Sequence, residues 1–379
     1  MKKILITGGA GFIGTQLCHE LKLSNYHITV IDSLVPQVHG LKSGSTIEIF
    51  KKKFPNFHFI HADINDTNCL VEALDGVDII VHLASETGTA QSMYELKKYY
   101  TSNVVGTASL CEAITRSDTK PQRVILSSSR AVYGEGMYIC EKDGEIFPES
   151  RLTRSLINKE FDCTCPKCGN IVVVTATPET AQLHPSSQYG ISKYTQECIL
   201  ELASKTYDFD LIILRLQNVY GPGQSLSNPY TGVLAAFYNS FLFDKEIEVY
   251  EDGKSVRDFI YISDVINVFK KIICLESINS NIYNVGSGVG LRMEETVILM
   301  QKILNKSIKY RISSKARAGD IRSNFADISK IVNDLNFSPL VTFEMGFPLF
   351  FGWAKEQLVT DNKLSDSLLE LKRNKLLYD

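Results

Sequence analysis

Lys3-Ile4-Leu5-Ile6-Thr7-Gly8-Gly9-Ala10-Gly11-Phe12-Ile13-Gly14-Thr15 is the stretch that decides the fold. A short apolar run, Ile4 to Ile6, breaks at Thr7 into glycines at positions 8, 11 and 14. Phe12, Ile13 and Leu17 then resume the apolar positions at helical spacing. The pattern predicts a strand, a tight turn and a helix. Gly8 permits the turn, Gly11 lets a pyrophosphate approach the backbone, and Gly14 lets the helix pack on the strand. The helix start offers N–H groups and a positive dipole end to phosphates. Gly8, Gly11, Phe12, Ile13 and Gly14 are therefore expected to line a dinucleotide. Three glycines alone are weak evidence. A second apolar strand, His27 to Ile31, ends in Asp32. A carboxylate about 20 residues on would grip a ribose 2′-hydroxyl. The nearest following cation is Lys42. A 2′-phosphate needs a closer one, so NAD is favoured over NADP.

Outward from this stretch, strand and helix patterns alternate. Phe57–His61 and Val77–Leu83 read as the third and fourth strands, Leu96–Ile114 as a helix and Arg123–Ser127 as the fifth strand. Tyr189–Ser204 is helical again and Leu211–Leu216 a buried strand. This alternation predicts an α/β fold, a doubly wound parallel sheet with a smaller α+β C-terminal substrate domain. The expected division is 1–221 for a dinucleotide-binding domain, with 258–275 returning to it, 222–355 mainly for a substrate domain, and 356–379 for a helical tail. From Gly134 to Leu183 the pattern fails, in an insertion rich in charge, Cys, Thr and Pro.

Bulk properties exclude several classes. The 379 residues are 44% hydrophobic and 22% charged, with net charge −3. These are ordinary globular values, and the charge gives no broad attraction to nucleic acid or a membrane surface. No apolar run approaches the ~20 residues of a membrane span. The chain enters a strand at once, so no signal peptide is expected. Cys18, Cys69, Cys111, Cys198 and Cys274 are scattered through apolar segments, as in a reduced, cytoplasmic protein.

The chemistry is carried by three features. Strand five runs into Ser127, Ser128 and Ser129, and Tyr189-Gly-Ile-Ser-Lys193 follows the insertion. Residues four apart on a helix share a face, so Tyr189 and Lys193 project together. A phenol titrates near 10 and is a poor base at neutral pH. A nearby ammonium, joined by an oxidised nicotinamide, favours the phenolate. Lowering the pKa by ~3 units takes about 4 kcal/mol. Lys193 can also hold the nicotinamide ribose, and a Ser hydroxyl at the strand end can share the proton path.

These motifs resemble the NAD-dependent epimerase/dehydratase family of extended short-chain dehydrogenases/reductases, over roughly residues 1 to 350 outside the insertion. Thr7 to Gly14 matches the family fingerprint. Asp63-Ile64 resembles the pair that meets the adenine, and His82-Leu83-Ala84-Ser85 the segment lining the dinucleotide. Asn103 matches a family Asn in Asn-Val-x-Gly-Thr. Ser129, four before Tyr133, occupies the catalytic Ser/Thr position. Asn218 resembles the residue that touches the sugar diphosphate, and Arg257 and Arg317 the family's two phosphate-binding arginines; guanidinium forks bind such oxygens in pairs. The resemblance implies bound NAD, a nucleotide-sugar substrate and a homodimer. Thr87, Gln91, Ser92 and Asn228-Pro229-Tyr230 are further candidates for the sugar pocket.

One departure narrows the reaction. Family dehydratases carry an Asp and a Glu after the catalytic Thr. Here Arg130 and Ala131 follow Ser129. Elimination of water is not expected, and 4-epimerisation through a 4-keto sugar or simple redox remains. Alternatives are a 4-keto-sugar reductase, which would need exchangeable NADPH, and a dinucleotide-binding regulator. Asp32 argues against the first; intact Ser129, Tyr189 and Lys193 argue against the second.

The insertion carries Cys163-Thr-Cys165-Pro-Lys-Cys168-Gly169 with Cys140 upstream. Structural zinc needs four N, S or O ligands. Cys140, Cys163, Cys165 and Cys168 could supply them, or Cys140 could pair with Asp143; a metal-free loop of buried thiols fits equally. Ser128-Ser-Arg-Ala-Val-Tyr-Gly134 with this insertion resembles the dTDP-L-rhamnose 4-epimerase subgroup, which has a His where this chain has Asp143. That resemblance implies dTDP-L-rhamnose/dTDP-6-deoxy-L-talose as the substrate pair, with UDP-hexoses and UDP-uronic acids as alternatives.

Overall fold

The computed structural model describes residues 1–39, 43–226, 228, 230, 232–357 and 364–379. Lys42, Pro229 and the start of the tail at 361–363 lie outside the described residues. Seven strands build the central sheet: β1 (Lys3–Thr7), β2 (His27–Asp32), β3 (His58–His61), β4 (Ile79–His82), β5 (Arg123–Ser129), β6 (Asp210–Leu216) and β7 (Asn281–Val285). Their order is β7-β6-β5-β4-β1-β2-β3, and every pair is parallel. The order reverses beside β1, between β2 and β4. A crevice opens outside the carboxyl ends of the strands at such a point.

Side chains alternate across a strand, and a sheet covered on both faces must be apolar on both. On one face Ile4, Ile6, Val30, Ile79 and Val81 pack under Leu17 and Cys18 of α1 (Phe12–Leu21) and Val265 and Phe269 of a helix at Ile262–Cys274. On the other, Leu5, Ile31, Ile80 and Val124 pack under Leu110 and Ile114 of α2 (Gly106–Arg116) and Leu200 and Ala203 of α3 (Gln188–Tyr207). Burying each such Leu, Ile or Val contributes ~1.5–3 kcal/mol. Each strand thus feeds both cores, as the continuous apolar runs require.

Beyond β6 the chain builds a smaller unit. Asn218–Tyr220 pairs parallel to Val256–Tyr261, which also pairs with Gly290–Arg292 and Ser323–Asn324. Tyr220 and Phe259 pack edgewise and meet Phe343 at centroid distances of 5.7 and 5.5 Å. No helix among the described residues is long and apolar enough to cross a membrane.

Three sequence expectations need correction. The helix expected over Leu96–Ile114 is interrupted: Leu96–Tyr99 is α-helical, Tyr100–Val105 is a π turn, and α2 begins at Gly106. The insertion at 134–183 is not patternless. It folds Tyr138–Cys140, Gly144–Ile146 and Val173–Val174 into a three-stranded antiparallel sheet, strands too short to show a period. The tail docks through more than a helix. After Leu364–Arg373, Leu377–Tyr378 pairs antiparallel with Ala316–Arg317.

Candidate active site

The crevice beside β1 is a cleft of about 1440 Å³. A drug-sized ligand fills roughly 300–1,000 Å³, so two ligands can share this one. Gly8, Gly11, Phe12, Ile13 and Gly14 line it, and Asp32, Asp63 and Ile64 line it beyond β2 and β3. Leu83, Ala84, Ser85 and Thr87 line it after β4; Ser127, Ser129, Tyr189, Lys193 and Asn218 line it around the carboxyl ends of β5 and β6. Asn228 and Tyr230 also border it.

The glycine turn fits a dinucleotide. Gly8 has φ +69°, and a Cβ there would sit 2.7 Å from the Ala84 nitrogen, so the turn and the chain leaving β4 are packed backbone on backbone. A Cβ on Gly14 would lie 2.5 Å from the Gly9 Cα. Gly14 therefore seats the helix on the turn itself rather than on the strand. No side chain caps the N-terminus of α1, and its first residues line the cleft, where a helix start suits phosphate oxygens. Asp32 accepts the Ala10 N–H at 3.0 Å and the Leu34 N–H at 2.8 Å, which aims the carboxylate. His39 Nε2 stands 3.6 Å from Asp32, and burial holds its pKa below the usual value.

Helix α3 starts where Ser187 accepts the Gly190 N–H at 3.1 Å, an N-cap. Ser92 Oγ takes the Tyr189 N–H at 3.0 Å. Tyr189, Lys193 and Glu197 recur every fourth residue on one face of α3. Burial raises the pKa of Tyr189, and the neighbouring Ser129 hydroxyl and the charge of Arg130 oppose the rise. Lys193 Nζ lies 3.5 Å from Ser85 Oγ. Burial pushes Lys193 down to about 7, against the pull of Glu197. The carboxylate of Glu197 is held by Arg215 at 2.7 Å and by the Ser128 hydroxyl. Sequence reading missed this anchor, although the fourth-residue spacing continues through Glu197.

Asn103 does not reach the cleft. It is fully buried, accepts the Glu86 N–H at 2.7 Å and the Ser85 hydroxyl at 3.1 Å, and donates to Ser192 at 2.9 Å. The π turn aims it there, and it positions Ser85 rather than lining the cofactor's place. His82 is likewise internal, 2.8 Å from Thr7 Oγ1 and 3.0 Å from Thr107 Oγ1, with burial pushing its pKa down to about 3.

Arg257 and Arg317 are not in the wall of the cleft. Arg257 donates to the carbonyls of Val256 at 2.9 Å and Arg322 at 3.0 Å, while Arg317 pairs with Asp320 at 2.8 Å and stacks on Tyr250. Arg130 does line it, and its Nη1 is buried without a partner. Burial and the charge of Arg257 both act to lower its pKa. A guanidinium stays protonated in proteins, so the cleft holds an under-compensated positive charge. The sequence singled out Arg130 only for the acid it replaces.

In the insertion, Cys140, Asp143, Cys165 and Cys168 bring their ligand atoms within 4.8 Å of one another. Cys163 is excluded from that set. Its thiol donates to the Tyr138 hydroxyl at 3.5 Å, within the small sheet's core.

Comparison with known proteins agrees with the geometry. The sequence model of the NAD dependent epimerase/dehydratase family matches residues 4–154 and 162–286. The chain is 32% identical to the dTDP-L-rhamnose 4-epimerase of Burkholderia thailandensis over 366 residues, 95% of this chain and 97% of that one. The UDP-glucuronic acid 4-epimerase of Bacillus cereus, solved with UDP-glucuronic acid and NAD, superposes with TM-score 0.76 at 28% identity, covering 93% of this chain and 99% of that one. The UDP-glucose 4-epimerase of Thermotoga maritima, solved with UDP-glucose, gives TM-score 0.73 at 27% identity, with coverage of 93% and 99%. The fingerprint turn, the Ser129–Tyr189–Lys193 face and the matched length together make the chain a member of the NAD-dependent epimerase/dehydratase family, within the short-chain dehydrogenases/reductases.

Proposed function

We propose that this protein is an NAD-dependent 4-epimerase of a nucleotide sugar, with dTDP-L-rhamnose and dTDP-6-deoxy-L-talose as its substrate pair. The observation that carries the reaction is the group at the end of β5. Ser129 meets Tyr189 there, and Arg130 and Ala131 stand where an eliminating acid and base would be needed. NAD bound along Gly8–Gly14 and Asp32 would supply the acceptor and later the donor of a hydride at the sugar carbon. Tyr189 takes the proton of the C4 hydroxyl, and Ser129 orients that hydroxyl. Lys193 sets the proton balance of Tyr189. After the planar 4-keto sugar presents its other face, the same phenol returns the proton. Nothing in these steps consumes an external reductant.

The sugar assignment is supported by the Burkholderia relative, whose identity extends over 95% of this chain. Arg130, which lines the cleft with its Nη1 unpartnered, suits a diphosphate. A cytoplasmic homodimer belongs to the same reading, and light scattering of the purified protein tests the dimer. The deciding experiment offers dTDP-L-rhamnose, UDP-glucose and UDP-glucuronic acid separately, with products identified by NMR. dTDP-6-deoxy-L-talose from the first alone supports the assignment. Turnover only of a UDP sugar overturns the sugar, and a 4,6-dehydrated product overturns the reaction.

A further inference from the structure

We propose that Cys140, Asp143, Cys165 and Cys168 form a tetrahedral structural zinc site that closes the insertion. Two turns deliver the ligands. Cys140 and Asp143 flank the turn of an antiparallel hairpin in which Cys140 pairs with Gly144. Cys165 and Cys168 flank a second turn, where Gly169 donates to the Cys165 carbonyl at 2.9 Å and Cys165 donates to the Asn170 carbonyl at 2.8 Å. The hairpin strand Tyr138–Cys140 also pairs with Val173–Val174 just beyond the second turn, which brings the two turns together.

The ligand atoms have the right separations. Cys140 Sγ is 3.5 Å from Cys168 Sγ and 3.5 Å from Asp143 Oδ2; Cys165 Sγ is 3.2 Å from Asp143 Oδ2. With Zn–S of ~2.3 Å and Zn–O of ~2.1 Å, the edges of a tetrahedron are about 3.8 Å for S–S and about 3.6 Å for S–O. Those three separations are close to these edges, and all four atoms lie within 4.8 Å of one another. A thiol is a weak donor, so hydrogen bonds to Asp143 give little reason for three sulfurs to converge on one carboxylate. All nine cysteines are free of disulfides. Three thiolates and a carboxylate would leave two net negative charges around Zn²⁺. Exposed Lys142 and Lys167, one inside each turn, lie where they offset that charge.

The segment needs such a cross-link. The buried core of its small sheet is Tyr138, Cys140, Ile146, Cys163, Cys165 and Val172, three of the six being cysteines. A core that small does not hold a fold without a staple. The stapled sheet in turn bears on the segments that carry Arg257 and Arg317. Tyr138 donates to the Ser323 carbonyl at 3.2 Å, and Ser323–Asn324 is the strand beside Val256–Arg257. Glu135 takes the Arg322 N–H at 2.7 Å and pairs with Arg151 at 3.1 Å. Arg151 donates to the carbonyl of Asp320, the partner of Arg317, at 2.9 Å. The ion would stiffen this frame and take no part in the chemistry.

The test reads metal rather than turnover, so its outcome is separable from the substrate assigned above. Untagged full-length protein is purified without chelator, and metals are measured per chain beside bound NAD. Wild type and Cys163→Ser are expected to carry about one zinc, and Cys165→Ser/Cys168→Ser less than about a tenth of an equivalent, because structural zinc does not purify away from an intact site. Retained NAD shows that the double variant is folded. Cobalt exchanged into wild type should give the visible bands of a tetrahedral ion and sulfur-to-cobalt charge transfer, and Asp143→Ala should lose its ion to a chromogenic chelator at least tenfold faster than wild type. Wild type with less than a tenth of an equivalent and no cobalt spectrum overturns the site. Iron in place of zinc overturns the metal. Zinc lost from Cys163→Ser but held as firmly by Asp143→Ala as by wild type overturns the ligand set. If the double variant does not fold, the cobalt spectrum and the Asp143→Ala exchange rate decide.

Discussion

The Ala131 N–H donates to Ser129 Oγ at 3.2 Å, and Ser129 and Tyr189 line the same cleft. The backbone bond fixes Ser129 as an acceptor from one side, which leaves its own proton to turn toward the phenol or a substrate oxygen. Tyr189→Phe should therefore retain fold and NAD and lose turnover by at least a hundredfold, the scale of a positioned proton-transfer group. Ser129→Ala should lose roughly tenfold to a thousandfold, since Tyr189 remains. Steady-state rates check both. A Tyr189→Phe enzyme with a tenth of the wild-type rate would make another group the base.

Asp32 sets the cofactor. Its carboxylate is aimed by Ala10 and Leu34. Asp32→Ala should weaken NAD by about tenfold or more, as expected for a lost charged hydrogen bond, and leave NADP nearly unchanged. Calorimetric titration of protein stripped of nucleotide measures the two. Equal losses would remove Asp32 from recognition of the 2′-hydroxyl.

Fold and cofactor wall were legible because local sequence forces them. Gly8 and Gly14 occupy places where a Cβ would collide with backbone, and Ile4–Leu5–Ile6 must be apolar throughout because successive residues feed opposite cores. The Tyr189–Lys193 face was legible because helical spacing alone aligns it. What escaped depends on distant partners. Glu197 gains its role from Arg215 on β6, and Arg130 is singular only because Arg257, Asp258 and Asp320 gather around it in space. The π turn over Tyr100–Val105 has no composition of its own; its effect is to aim Asn103 inward at Ser85 and Ser192. Cys163 resembles its neighbours in sequence, yet in space it meets Tyr138 while Cys165 meets Asp143, a difference that spacing alone does not reveal.

The substrate cations should separate from the cofactor site in kinetics. Arg130 has a buried Nη1 without a partner, whereas Arg257 spends one nitrogen on the carbonyls of Val256 and Arg322. Arg130→Met should raise KM for the sugar nucleotide by about tenfold to a hundredfold, the value of a charged hydrogen bond, with kcat changed far less, and Arg257→Ala, outside the cleft wall, should raise it less. Bound NAD should be unaltered in both. A fall in kcat at constant KM for Arg130→Met would move that residue from binding to the chemical step.

Lys193 should be a stability cost retained for function. Burial brings its pKa from 10.5 down to about 7 in the folded chain. Between those values the unfolded chain binds a proton that the folded chain lacks, so unfolding free energy rises with pH across that window. Below about pH 7 both states are charged and the whole penalty is present. Lys193→Met keeps the length of the stem and removes the charge. Glu197 is not orphaned by the change, because Arg215 and Ser128 already hold it. The variant should be nearly inactive yet more stable than wild type by on the order of 2 kcal/mol at about pH 6, with the gap closing toward about pH 10. Urea unfolding of the two proteins at matched NAD content, repeated across that range, measures the gap. A variant no more stable than wild type at the acid end, or a gap that does not change with pH, would mean that the Lys193 ammonium is fully compensated in the empty site.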